Sequence, residues 1–459
     1  MDPSQLLARD RWVVGAVENT SLIKLVLWTH TLQQDPNRLD LLLPMQVHLV
    51  ARIRRNEARL SRLKACRADL VRALKLGRPV KEQANLLRGE IDQIDGAIDQ
   101  AQKRLRMWRN FGDAIAHIYQ DKYSLKHLCL DAETNHLKPS AGSLSGKTGF
   151  ANEWALLKQA LEHGVPAVLC DLTNVLRFGD LCLLAGPEPF VTECKSGTRL
   201  NDRGKRQAIQ QKKLMDFLTN NGAAEYGGAP NVTRRALATR EVTYSAKLDA
   251  CIAAISMDAS VSVSPEPGLT YTLLRADITR HELQALINEP PLNTLSWLVD
   301  GTDEHWCLFY PFLLSLSPAN ALTFLSGSVL LLVQINLDVL CACFATHGVT
   351  AKPLMDGEHA LELKGVGKSA SEGIFWLSER LLARIVFEQQ SLAWFAAEHA
   401  RCLTDPLPTP PGGWRETAPP AFIRGKLSRA LDAELPVAEV GSPDPEIEQH
   451  LGNPPQDTH

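Results

Sequence analysis

The strongest constraint on this chain is a heptad seam. Leu87, Ile91, Ile94, Ile98, Ala101, Leu105 and Trp108 follow one another at alternating steps of four and three residues. A helix turns about every 3.6 residues, so apolar side chains at this spacing line one stripe of a long helix that must bury against a partner. Leu49, Ile53, Leu60, Leu63, Leu70 and Leu74 keep the same rhythm upstream, interrupted at Asn56 and Arg67. Leu76-Gly77-Arg78-Pro79, between the two runs, carries a helix stop and a turn. Residues 46–109 are therefore expected to form an antiparallel, coiled-coil-like helical hairpin. Residues 1–45 read as a helical, partly apolar segment.

The first arm of that hairpin is basic. Between Arg52 and Lys81 eleven cations are opposed only by Glu57 and Asp69. Two readings stand side by side. One is a solvated face paired with Glu82, Glu90, Asp92, Asp95 and Asp99 of the second arm. The other is a phosphate-contacting arm whose grip weakens with salt. The hairpin is also a surface for a homo-oligomer or a partner protein. Over all 459 residues the formal charge is only −3, so bulk charge excludes no partner.

At roughly 100–200 residues per domain the chain has room for about two to four domains. Hydrophobic residues at 45% and charged residues at 22% suit a soluble globular protein. The ten cysteines include no C-x-x-C pair, which points to reduced thiols rather than disulfides or zinc. The opening MDPSQLLARDRW is too polar for a signal peptide. The most apolar stretch, Ser328 to Thr346, carries Gln334, Asn336 and Asp338, each costly in a bilayer. It reads as a buried strand running into a helix. A cytoplasmic protein with no membrane partner is expected.

Residues 110–145 read as a connector, entering a polar loop from Lys138 to Gly149. Residues 146–260 are the expected catalytic domain and 261–403 a C-terminal α/β region. Within the latter one core-packed helix is expected from near Ser369 to Cys402. Residues 404–459, rich in proline and acid, read as a disordered tail.

The chemistry concentrates in the middle. Asp180 opens an apolar run, Gly186-Pro187-Glu188-Pro189 is a turn, and Phe190-Val-Thr-Glu193-Cys-Lys195 follows as a second strand. Residues two apart in a strand share a face, so Glu193 and Lys195 project together. Asp180 on the partner strand can meet them. Carboxylates are the ligands that Mg²⁺ prefers, and a bound metal activates water and neutralises charge on a phosphate. A lysine beside them can orient the attacking water.

Asp180 followed by Glu193-x-Lys195 after a short hairpin resembles the core motif of the PD-(D/E)XK nuclease superfamily. The resemblance covers about 75 residues, from Gly146 to Asn220. It implies a restriction-endonuclease-like α/β fold, a mixed sheet flanked by helices, with the N-terminal hairpin and the C-terminal α/β region added. It also implies a glutamate on a preceding helix, which Glu153 matches, and polar residues on a following helix, which Gln207 and Gln211 match. Asp180, Glu193 and Glu153 would then hold Mg²⁺ or Mn²⁺, while Lys195 and Gln211 complete the catalytic set. Lys147, Arg199, Lys205, Arg206 and Lys212 would meet the backbone of a nucleic acid, expected to be DNA. Gly179 stands where the superfamily often has proline. By analogy, such a core fused to unfamiliar domains suits restriction or antiviral defence.

Two alternatives remain. The same fold could bind nucleic acid without cutting it. Ala141-Gly-Ser-Leu-Ser-Gly146-Lys147-Thr148 also resembles the phosphate loop of an ATPase, but His136 to Ser140 is too polar and proline-broken to be the strand such a loop needs. Asp300, Asp303, Glu304 and His305 read as a solvated loop.

Overall fold

The computed structural model describes residues 16–404, apart from 78, 141, 195–201, 256–259, 277, 280, 282–292, 302–305, 307 and 366–372. It is a mixed α/β chain. Among the described residues, 27–233 form one compact unit, and 16–26 with 234–404 form another. The expected catalytic range of 146–260 runs across this division. The basic linker Arg199 to Arg203 and the tail from 405 onward lie wholly or partly outside the description. No described helix is long and apolar enough to cross a membrane.

The first unit is organised by its helices. After α1 (Ala16–Gln34), the expected hairpin consists of α2 (Leu42–Leu76) and α3 (Lys81–Tyr119). Arg67, one of the two breaks in the heptad rhythm, makes a bidentate pair with Asp95 across the two helices. Asn56, the other break, is buried and donates to the carbonyl oxygen of Arg52. The second helix does not stop at Arg109. It continues through Asn110–Tyr119, and Phe111, Ala114, Ile115 and Ala116 in that extension are fully buried. A helix apolar around most of its circumference must sit inside the protein, and here it forms the floor of the unit.

On that floor lies a small sheet. Strands β1 (Ala167–Leu169), β2 (Leu181–Leu183) and β3 (Phe190–Thr192) pair antiparallel in that order. Each spans three residues, shorter than the sequence suggests. Helix α4 (Phe150–Glu162) precedes the sheet, and α5 (Asp202–Asn220) follows it. Strands β4 (Gly222–Tyr226) and β5 (Ala229–Thr233) then form a separate hairpin. The sheet expected to be mixed is therefore antiparallel throughout its described pairings.

The free edge of β1 is satisfied by a side chain. Buried Gln46 of α2 donates to the carbonyl oxygen of Ala167 and accepts from the Leu169 N–H, at 2.9 and 3.0 Å. Its amide thus replaces a neighbouring strand, as buried backbone groups require. Asp113 of α3 accepts from the Asn174 and Val175 N–H groups. Gln120, just past α3, donates to the carbonyl oxygens of Leu184 and Gly186 at the hairpin turn.

The other unit contains α6 (Ser245–Ala254) and a four-stranded sheet in the order β6 (Ser260–Glu266), β7 (Leu269–Arg275), β9 (Val329–Asn336), β8 (Thr294–Val299). Helix α7 (Pro318–Leu325) packs there, and α8 (Leu337–Ala345) leaves the end of β9. The apolar stretch from Ser328 is thus a buried strand running into a helix, as expected. A second sheet joins β10 (Val349–Pro353), β11 (His359–Gly365) and β12 (Ile374–Ser378).

The single helix expected from Ser369 to Cys402 is a misreading. Residues 374–378 are β12, and two helices follow, α9 (Glu379–Phe387) and α10 (Leu392–Thr404). Ser378 accepts from the Leu381 N–H and Ser391 from the Trp394 N–H, so each serine caps a new helix start. Between them Gln389 takes a left-handed φ of 51°, which no continuous helix tolerates. Asp303, Glu304 and His305 lie outside the described residues.

Gly112 shows how closely α3 approaches the strand segment. A Cβ built there would lie 2.1 Å from the carbonyl oxygen of Leu172. Gly112→Ala is expected to destabilise the protein by about 3 kcal/mol, the scale of a severe overpacking, read as a lower urea midpoint. An unchanged midpoint would show that α3 does not press on residues 170–173.

Candidate active site

Four elements of the first unit deliver charged side chains to one place. Glu153 comes from the first turn of α4, and the Lys147 loop leads into that helix. Asp171 follows β1 in a short 3₁₀ turn. Asp180 stands immediately before β2. The Lys147 ammonium lies 2.7 Å from Asp171 Oδ2, 2.9 Å from Asp180 Oδ1 and 2.9 Å from Glu153 Oε1. Three carboxylates thus converge on one cation.

Their burial sets the electrostatics. The Glu153 side chain is 3% exposed and that of Lys147 only 25%. Burial pushes the Glu153 carboxyl up from the usual carboxylate range, against the hydrogen bond from Lys147. Burial also acts to lower the Lys147 ammonium, but its bonds to Asp171 and Glu153 outweigh this and hold it above the ordinary lysine value. An ammonium so placed is a permanent positive charge.

Local geometry explains how Asp180 reaches this point. Its N–H donates to the Thr192 carbonyl oxygen, and its Oδ2 accepts from the Cys194 N–H at 2.9 Å. Gly179 before it has φ of 67°, and a Cβ there would lie 2.7 Å from the Thr192 oxygen. Proline, fixed near −65°, has no place at such a position. The chain therefore enters Asp180 through a left-handed glycine turn that proline could not form.

The loop carrying Lys147 is anchored from the hairpin. Buried Glu57 of α2 accepts from the Leu144 and Ser145 N–H groups and from both the Ser143 and Ser145 hydroxyls. Arg109 of α3 lies 3.6 Å from Glu57 and donates to the carbonyl oxygens of Gly142 and Asp171. Both helices of the hairpin therefore hold the site in place. Among the described residues no strand feeds this loop, since residues 138–140 belong to no strand. The phosphate-loop alternative lacks its framework here.

A cleft of about 300 Å³ opens beside the cluster, lined by Asp171, Asp180, Glu193, Lys138, Arg177 and Gln207 among others. Glu193 lies one residue beyond β3 rather than within it, half-buried on the cleft wall. Lys195 and Arg199 fall outside the described residues, so the expected pairing of Glu193 with Lys195 has no counterpart in the description. Gln211 does not face the cluster directly. It donates to the Val191 carbonyl oxygen at 2.6 Å and docks α5 on β3. Lys205, Arg206 and Lys212 are exposed on α5. Lys147, expected to meet nucleic acid, is instead engaged with the three acids.

Three cleft residues were not anticipated. Asp171 ends the apolar run Val165 to Cys170, a hydrophobic strand closing on an acid, and that signal was present in the sequence. Lys138 stands 3.3 Å above the centre of the Phe178 ring, and burial lowers its ammonium to about 8, against the pull of Asp131 and Glu193. Arg177 donates to the Lys138 carbonyl oxygen and to that of Asn174. Nothing in their sequence context marks Lys138 or Arg177 as cleft residues.

The donor set is what a hard divalent cation takes, namely carboxylate oxygens from separate elements sharing one positive partner. As they stand, the acids are spaced for an ammonium. Among the described residues no group of three His, Cys, Asp or Glu side chains is drawn in to metal-ligand distance. Glu153, Asp171 and Asp180 therefore fit a metal in their chemistry, with Lys147 in the central place.

Replacing Lys147 with methionine leaves three buried or half-buried carboxylates without their cation. The expected loss at pH 7 is about 3 kcal/mol, as for a broken buried pair. Without Lys147 the folded-state value of Glu153, already raised by burial, rises further above its unfolded value near 4. Acids raised in this way favour folding at low pH and lose that contribution as pH rises. The deficit should therefore shrink from pH 7 towards pH 5, as measured by urea unfolding at both. A deficit independent of pH would mean the acids do not share Lys147.

Comparisons of the chain with protein-family models, with curated proteins and with solved structures find no match.

Proposed function

We propose that this cleft cuts phosphodiester bonds of nucleic acid, with a divalent cation such as Mg²⁺ or Mn²⁺ as cofactor and DNA as the expected substrate. One observation carries the reading. Acids from three successive elements, Glu153, Asp171 and Asp180, meet at Lys147, and Asp171 and Asp180 also line a cleft that bears Glu193. The order of elements supports it too, with a helix bearing a glutamate, a three-stranded antiparallel sheet bearing an aspartate, and a docking helix.

In this reading Asp180, Asp171, Glu153 and Glu193 hold the cation. Once bound, it supplies an activated water and neutralises charge on the scissile phosphate. The chain's own groups do the rest. The Cys194 N–H fixes one oxygen of Asp180, leaving the other directed at the cluster. Lys147 keeps the acids together and, displaced from their centre, offers its charge to the phosphate. Lys138, which also lines the cleft, is a second cation for a substrate phosphate.

The test is nicking of a supercoiled plasmid with Mg²⁺. Asp180→Asn and Glu193→Gln are each expected to lower the rate at least about 10³-fold, the scale for removing a group that acts in the transition state. Equal nicking by wild type and Asp180→Asn would exclude this assignment. DNA binding by a wild-type protein that never nicks would favour the non-catalytic module. Metal occupancy has a separate readout, because Mn²⁺ should restore part of the stability lost in Lys147→Met. No restoration would remove the cation from the site.

A further inference from the structure

The base of the helical hairpin carries more charge than its own packing uses. Arg55, Arg59 and Arg62 recur at steps of four and three along α2, so they share one face of the helix. All three are exposed, and none makes an ion pair among the described residues. The Arg67–Asp95 pair fixes the register of the two helices. It sets the level of Arg55 and Arg59 on α2 near that of Arg104 and Arg106 on α3, both half-buried. Neutralising acids are scarce at this level. Between residues 51 and 64 the sole acid is Glu57, and over the facing stretch 98–111 the sole acid is Asp99, which pairs with Lys103 at 2.9 Å. Glu57 is committed to the 143–145 backbone and Arg109.

This differs from the outer part of the arm. There Arg67 is paired with Asp95 and Arg72 with Asp69, while Glu82, Glu90 and Asp92 supply further negative charge. The excess is thus local, and it lies near the start of α4. Arg54, beside Arg55, stacks 4.1 Å from the Phe150 ring at the start of α4, the helix that bears Glu153.

We propose that the Arg55–Arg59–Arg62 face is a docking surface for the sugar–phosphate backbone of the nucleic acid delivered to the cleft. The proposal rests on the phosphodiester reading of that cleft. At about 1.5 Å of rise per residue the three arginines cover about 10 Å, close to the axial run of four successive phosphates on one strand of a duplex. Guanidinium groups suit such contacts because their planar donors match phosphate oxygens in pairs. The surface contacts backbone only, so it binds without regard to sequence.

The test is binding of full-length protein to a short double-stranded DNA in the absence of divalent metal, across a series of salt concentrations. Arg55→Glu/Arg59→Glu/Arg62→Glu is expected to bind at least about tenfold more weakly. Its plot of log affinity against log salt should be shallower by about three, one contact per arginine. Lys75→Glu/Lys81→Glu, at the far end of the arm, should bind within about twofold of wild type. If circular dichroism shows the triple glutamate variant misfolded, the triple glutamine variant gives the same slope measurement. Unchanged affinity and slope would overturn the proposal. So would a face that binds anionic vesicles but not DNA. The outcome is separable from the catalytic reading. A stripe variant that fails to bind DNA, alongside an Asp180→Asn protein that still nicks plasmid, would retain this surface and discard that site.

Discussion

An ammonium surrounded by three carboxylates governs the first unit. Glu153, Asp171 and Asp180 arrive from a helix, a turn after a strand and the start of another strand, and Lys147 reconciles them. Carboxylates so close together repel one another, and burial raises the cost of each charge. A single well-held cation converts that repulsion into a fixed arrangement. The positions of α4, β1 and β2 relative to one another are therefore an electrostatic matter as much as a packing one.

What holds the cation is in turn the helical hairpin. Its heptad seam explains why two long helices lie together, but the polar residues near its base decide what sits on them. Gln46 completes the edge of β1, Glu57 gathers the loop before Lys147, Arg109 ties that loop to the carbonyl of Asp171, and Asp113 and Gln120 fasten the segments flanking β2. Most of these groups are buried and find their partners in loop or strand backbone. The small sheet, with strands of three residues, has too little pairing of its own to fix a site. The helices supply the rigidity that the strands lack.

The sequence was most informative where a pattern was long. The helical hairpin and the strand-to-helix stretch after Ser328 follow from periodicity, and the turn between β2 and β3 from its glycine and prolines. It was least informative where one side chain decides the outcome. The break at Gln389 depends on a left-handed residue between two serine caps, and an apolar run through it reads as one helix. The role of Lys147 was hidden because a lysine in a glycine-rich loop suggests phosphate, whereas its partners here come from 6 to 33 residues away in the chain. Asp171 closes an apolar run that is visible in the sequence, but its tie to Glu153 and Asp180 arises only once Lys147 is placed. Glu193 lies one residue beyond β3, so the strand-face argument that paired it with Lys195 does not apply at that point.

The left-handed turn at Gly179 makes substitution there one-directional. With the Thr192 oxygen 2.7 Å from where a side chain would begin, this position admits glycine and little else. Glycine takes either sign of φ, whereas proline is held near −65°, so a proline before Asp180 would demand a different backbone and could not arise here by a single tolerated replacement.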